Sequence, residues 1–252
     1  MGTSGWSYQW VAFYPADMPS RDYLSYYSRH FRTVEVNYSF YHLPRPSTYE
    51  NWAAQTPHDF TFAVKLSKFI THVRRLSGVD AELEKFLGNA SALGGKLGPL
   101  LVQLPPSFKL DLERLDGFLT AVNEARARMG MDRALHLAIE FRHRSWFEPS
   151  DMRNLLKILT HHGAAFVLAH SNRFPYPEEE PVTSDLMYLR FHGPERMFAS
   201  LYGRERLMRW APSLRRWVQQ GLDVYVYFNN DMEGYAVADA RTILEIVGDS
   251  GR

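Results

Sequence analysis

The stretch 135–147, LHLAIEFRHRSWF, joins an apolar run of strand length to a dense polar cluster. On a strand, successive side chains point to opposite faces. Leu137 and Ile139 then share one face, and Ala138, Glu140 and Arg142 share the other. The alternation brings a carboxylate to the strand's carboxyl end, with His143, Arg144 and Trp146 just beyond it. A carboxylate set among cations and an imidazole is suited to proton transfer or to holding an anion.

Five other segments end in the same way. In TVEVN (33–37), Glu35 and Asn37 oppose Val34 and Val36. In FTFAVK (60–65), Lys65 shares a face with Thr61 and Ala63. Gln103 shares parity with Leu101, and Tyr188, Arg190 and His192 oppose Met187, Leu189 and Phe191. In VYVYFNND (224–231), Tyr225, Tyr227 and Asn229 oppose Val224, Val226 and Phe228. Each segment has an aliphatic face and a face that turns polar at its carboxyl end. If the strands converge, Asn37, Lys65, Gln103, Glu140, His192 and Asn229 line one cavity, with Asp231 on its rim.

These residue types suggest roles. Glu140 serves as general acid or base, His192 as a second proton carrier, and Lys65 as a third catalytic group. Lys65, Arg142 and Arg190 are anion contacts. Asn37, Tyr38, His72, Gln103, Trp146, Asn229 and Asp231 bind substrate, with Tyr38, Tyr41 and Trp146 stacking on a ring or sugar face. Glu35 sits two residues below Asn37, roughly 6–7 Å deeper at strand rise. It is either catalytic or half of a buried structural pair with Arg190, since buried charges are paired. A carboxylate in a hydrated mouth loses its charge at little cost to the fold. Glu140→Gln is therefore expected to leave the melting temperature nearly unchanged, and Glu35→Gln to lower it.

Plainer readings compete with several of these. Lys65 can simply neutralise a carboxylate, His72 can be a surface histidine, and Gln103, just before Leu104 and Pro105, can serve mainly to hold backbone. Trp210 and Trp217 read as helix core, and the arginines around them as a solvated face.

Such strand ends need an α/β frame that gathers them. Helical spacing marks 22–31, 80–93, 112–129, 150–162, 204–220 and the segment GYAVADARTILEIV, and Asp111 is placed to cap the third of these. A short helix, TYENWAAQ, lies between the strands TVEVN and FTFAVK. Strands are read at GTSGW, 33–37, 60–65, 99–108, 135–140, 164–170, 186–193 and 224–231, where GTSGW begins at residue 2 and leaves the first strand little length. Alternating β and α segments without a glycine-rich dinucleotide fingerprint predict a single (β/α)8 TIM-type barrel over residues 1–252. The proline- and acid-rich segment 171–185 has no periodicity and reads as a lid or binding loop.

The 252 residues carry a formal net charge of +1, which speaks against a strongly basic nucleic-acid binder. With no cysteine there are no disulfides and no thiolate sites. No apolar run is long enough to span a bilayer, and a cytoplasmic location is the expectation.

The segments GTSGWSY, TVEVNYSFYHLP, FAVKLSKFITH, LGPLLVQLPPSF, AIEFRHRSWF, YLRFHG and YVYFNND, in this order, resemble the YecE-like proteins, the family of domain of unknown function 72. The resemblance runs from Gly2 to the final helix and implies a TIM-type barrel. It supplies no activity, and the likeness of such barrels to metal-dependent endonucleases and sugar isomerases is one of fold. Its motifs carry Glu35, Asn37, Tyr38, Lys65, His72, Gln103, Glu140, Arg142, His143, Trp146, Arg190, His192, Asn229, Asn230 and Asp231.

Three functions follow as expectations. The first is an acid–base enzyme, hydrolase or isomerase, acting on a small anionic or sugar-like substrate without a cofactor. The second is a divalent-metal phosphodiesterase or isomerase with Glu35, Glu140, His192 and Asp231 as ligands, weakened by the cations nearby. The third is a nucleic-acid-binding module without chemistry.

Overall fold

Residues 1–131 and 135–248 are described by the structure, a computed structural model. The alternating segments become eight strands: β1 (Gly2–Thr3), β2 (Thr33–Val36), β3 (Thr61–Lys65), β4 (Leu97–Gln103), β5 (Leu137–Glu140), β6 (Ala164–His170), β7 (Leu186–Phe191) and β8 (Asp223–Phe228). All the ladders are parallel, in the order β1-β8-β7-β6-β5-β4-β3-β2. The helices are α1 (Tyr23–Tyr27), α2 (Tyr38–Tyr41), α3 (Pro46–Ala54), α4 (Asp80–Ala90), α5 (Leu112–Arg128), α6 (Pro149–His161), α7 (Gly203–Met208), α8 (Ala211–Gln219) and α9 (Tyr235–Gly248). This is the expected TIM-type barrel.

The seam between β1 and β2 has no ladder of its own, and the Tyr27 hydroxyl spans it. It accepts from the Thr3 amide at 2.9 Å and donates to the Thr33 carbonyl at 3.1 Å. The strands come so close there that a Cβ on Gly2 would lie 2.1 Å from the Thr33 carbonyl oxygen. Only glycine fits.

Strand parity sorts the core into two layers. The outward faces of the strands, among them Val34, Val36, Phe62, Val64, Ile139, Leu189 and Phe228, pack under the helices. The barrel interior holds Ala63, Leu101, Ala138, Ala165, Val167 and Ala169 around Tyr188 and Tyr227. The small residues leave room for the tyrosines and for the Arg190 side chain above them.

Several local expectations change. The helix expected over 204–220 divides into α7 and α8, and Pro212 lies in the first turn of α8, where its missing N–H is tolerated. The loops after β2 and β3 contain helical turns: α2, and a π-helical turn at Phe69–Val73. β8 stops at Phe228, so Asn229, Asn230 and Asp231 belong to the loop. Asp111 caps α5, accepting from the Arg114 amide at 3.0 Å. The segment 171–185 is irregular, as expected, but none of its residues lines the cavity at the barrel mouth. Tyr176 packs it against Trp210 and His170, and Phe174 lies under the Arg142 guanidinium at 4.6 Å.

Candidate active site

The interior face of the strands puts an ion-pair lattice below the mouth. Arg190, on β7, sits at its centre with no exposed surface. Its Nε and Nη2 donate to the two Glu35 oxygens at 2.9 and 2.7 Å, and its Nη1 donates to Glu140 Oε2. Glu35 also accepts from Ser4 Oγ and the Tyr188 hydroxyl, both at 2.7 Å. Both of its oxygens therefore carry two donors. The second Glu140 oxygen accepts from Arg142 Nε at 2.5 Å. Two carboxylates and two guanidiniums balance in charge, which is the condition for burying them.

Glu140 is fully buried, so the expectation of a hydrated carboxylate is corrected. Burial alone would push its carboxyl up, but the Arg142 and Arg190 guanidiniums overcome this and hold it well below the usual carboxylate range. His192, one residue beyond β7, is also fully buried. Its Nδ1 meets the Asn229 amide nitrogen at 3.1 Å, and its Nε2 lies 3.8 Å from Glu140 Oε1, beyond hydrogen-bond range. Burial, with the Arg190 charge beside it, pushes the imidazole well below its usual value, so it stays neutral.

Above the lattice lies a cavity of about 360 Å³ lined by Asn37, Lys65, His72, Gln103, Arg142, Asn229 and Asp231, together with Tyr8, Phe40, Tyr41 and Phe198. Glu35, Glu140, Arg190 and His192 are fully buried, and none of them lines it. Lys65, at the end of β3, has its ammonium 4.1 Å from the centre of the Phe40 ring, and no carboxylate forms an ion pair with it among the described residues. Burial, then the Arg190 and Arg142 charges, pulls its pKa down to about 7. Asp231 goes the other way: burial, assisted by the Glu35 charge, pushes its carboxyl up to about 8, although the Tyr8 hydroxyl against it lowers it in part. His72 falls to about 4 through burial and the nearby Lys65 charge, so it is neutral. Its Nδ1 lies 2.8 Å from the Thr71 hydroxyl. Asn37 donates to the Ser4 carbonyl at 3.3 Å, and Gln103 donates to its neighbour Leu104's carbonyl at 2.7 Å.

Two sequence expectations are displaced. Trp146 has no exposed surface: its ring packs on Phe141 and Phe108, and its indole N–H donates to the Phe108 carbonyl at 2.8 Å. It is core, because the turn after β5 carries it back over α5's entry. Tyr38 is half exposed but faces away from the cavity, against His42 and Trp52. The α2 turn explains this, since it replaces strand alternation and brings Phe40 and Tyr41 inward instead. Asn230 is buried and donates to Asp239 and to the Ser200 carbonyl. Tyr8, Phe40 and Phe198 had no sequence signal as cavity residues. Phe198 stands at φ +65°, a conformation uncommon for a bulky residue, and its ring edge meets His192.

The four ligands of the metal reading do not form a donor set. Arginines occupy Glu35 and Glu140, and no cluster of three or more His, Asp or Glu able to hold a metal occurs among the described residues. Nor is any helix among them long and apolar enough to cross a membrane.

An eight-stranded parallel barrel with a polar cavity at the carboxyl ends of its strands is a TIM-type barrel protein, and in that fold the mouth is where function resides. More particularly, the model of the family described as "Protein of unknown function DUF72" matches residues 1–252, and the chain belongs to this family. It is 28% identical to the UPF0759 protein YunF of Bacillus subtilis, over 98% of this chain and 94% of that one. The crystal structure of a DUF72 family protein from Thermotoga maritima superposes with a TM-score of 0.82, at 28% identity and 98% coverage of both chains. An AP endonuclease of family 2 from Brucella melitensis shares the fold alone, at a TM-score of 0.52 and 12% identity over 90% of this chain and 95% of that one.

Proposed function

We propose that the barrel mouth is the active site of an acid–base enzyme acting on a small anionic or sugar-like substrate, with Lys65 and Asp231 as its proton carriers. One observation carries this reading. Two titratable groups of opposite kind line the same cavity, and both are displaced toward neutrality, to about 7 and about 8. Perturbed groups in a cleft are the usual mark of acid–base catalysis. Between those values Lys65 is a neutral amine able to take a proton, and Asp231 is a carboxylic acid able to give one. Arg142 stays cationic and meets an anionic group at the cavity wall, while Asn37, Gln103 and Asn229 offer amides to hydroxyls. Glu140 and Glu35 hold the two arginines in place, so they are positioning residues in this scheme, and neutral His192 extends the support through Asn229.

The test has two parts. In NMR titrations of the side chains, Lys65 should titrate near 7 and Asp231 near 8. Ordinary values for both would remove the basis of the reading. A panel of sugar phosphates incubated in D2O with the protein should then show exchange or conversion that rises with pH through 7 and falls through 8. Lys65→Met and Asp231→Asn should each lower that rate by about a hundredfold or more, the usual scale of a lost acid or base. Turnover indifferent to both substitutions would place the chemistry elsewhere.

A further inference from the structure

Beside the polar cavity lies a second hollow of about 470 Å³ with a different character. Its apolar lining is Phe40, Tyr41, Leu43, Phe69, Val73 and Phe86. Tyr41 is 69% exposed, Val73 62% and Phe69 45%. Large apolar side chains clustered this way on a surface mark a place where something apolar binds.

The hollow adjoins the cavity because the same two turns build both. From α2, Phe40 and Tyr41 line both spaces. The π-helical turn after β3 divides its side chains: His72 faces the cavity, and Phe69 and Val73 face the hollow. Single π-turns of this kind recur at functional sites, where they redirect side chains that an α-turn would stack. The ridge of Phe40 and Tyr41 is thus a shared wall, and a ligand seated on Lys65 and Arg142 needs only to cross it.

We infer that this hollow is the second half of the substrate site and receives an aromatic ring joined to the anionic or sugar-like group held in the cavity. The lining favours an aromatic ring over an aliphatic chain. It offers the rings of Phe40, Tyr41, Phe69 and Phe86 together with the exposed ammoniums of Lys68 and Lys85, and aromatic pairs and cation–π contacts both reward a π-face. The position of the anionic group rests on the acid–base reading of the cavity. The ring-binding hollow stands on its own geometry.

Calorimetric titrations of the full chain with phenyl phosphate and with inorganic phosphate separate the two halves. Phenyl phosphate should bind at least tenfold more tightly than phosphate. Val73→Asp, which charges an exposed wall of the hollow and leaves the cavity untouched, should abolish that advantage. Arg142→Gln should weaken both ligands and leave their ratio unchanged. An absent advantage, or one that survives Val73→Asp, overturns the inference. If neither phosphate binds, titration with 1-anilinonaphthalene-8-sulfonate decides. Saturable fluorescence enhancement lost in Val73→Asp supports the ring site and removes the anion reading of the cavity, whereas enhancement that is absent or indifferent to the substitution removes the ring site.

Discussion

Glu35 and Glu140 show how far one carboxylate's surroundings set its worth. Each is fully buried and each is gripped by Arg190. Removing one partner of a buried pair strands the other charge, at a typical cost of about 3–5 kcal/mol. Glu35→Gln and Glu140→Gln should therefore both lower the melting temperature clearly, as differential scanning calorimetry would record. An unchanged midpoint for Glu140→Gln would mean that water reaches the arginines it leaves behind. Lys65 behaves in the opposite sense. Its folded pKa of about 7 lies below the ordinary lysine value of 10.5. Between those values the unfolded chain binds the extra proton, so stability rises with pH across that window, and below pH 7 the full penalty of a buried ammonium is felt. Lys65→Met removes the penalty. It should raise stability by a few kcal/mol, on the order of the pKa displacement, at pH 6 and by almost nothing at pH 11. Melting curves at the two pH values check both the sign and the window.

Among the elements, the β1–β2 seam depends on one hydroxyl. Tyr27, delivered by α1, replaces the ladder bonds that a two-residue strand cannot make. Tyr27→Phe keeps the ring in the core but leaves the Thr3 amide and the Thr33 carbonyl without this partner. The expected cost is roughly 1–3 kcal/mol. Amide hydrogen exchange should localise it, with the Thr3 amide exchanging faster and the β5–β6 amides unchanged. Uniformly faster exchange would mean that the seam is not a separate weak point. The seam matters to the site because Ser4, next to β1, donates to Glu35, and Asn37 donates back to the Ser4 carbonyl.

Across the whole molecule, the barrel's interior is graded by size. Ala63, Ala138, Ala165 and Ala169 face the axis, so the bulk there is supplied by Tyr188, Tyr227 and Arg190. Ala63 is in register with Glu35 on the neighbouring strand. Ala63→Leu would overfill this layer, at a cost of about 1–3 kcal/mol. It should also disturb the Glu35–Arg190 pair beside it, so the Lys65 titration should move along with the melting temperature. A loss of stability with that titration unmoved would show that the interior layer and the cavity are mechanically independent.

The alternation of β and α segments in the sequence was enough to indicate the barrel, and strand parity its aliphatic outer face and the inward direction of Lys65 and Gln103, because a period of two leaves each side chain only two directions; Asn37, Asn229 and Asp231 reach the same mouth from just beyond their strands. The same rule put Glu35, Glu140, Arg190 and His192 on the inner face. It could not say that they are closed off from the cavity, since that depends on how the strands stagger and what covers them. Loop residues obeyed no such rule. Trp146 and Tyr38 read as stacking residues from their types alone, and the turns that follow β5 and β2 turned one into the core and the other away from the mouth. Tyr8, Phe40 and Phe198 came to the cavity by long-range packing that leaves no local pattern. The opposite displacement of two carboxyl groups was likewise decided in three dimensions, by whether an arginine reaches them: two reach Glu140 and hold its pKa down, while burial raises that of Asp231.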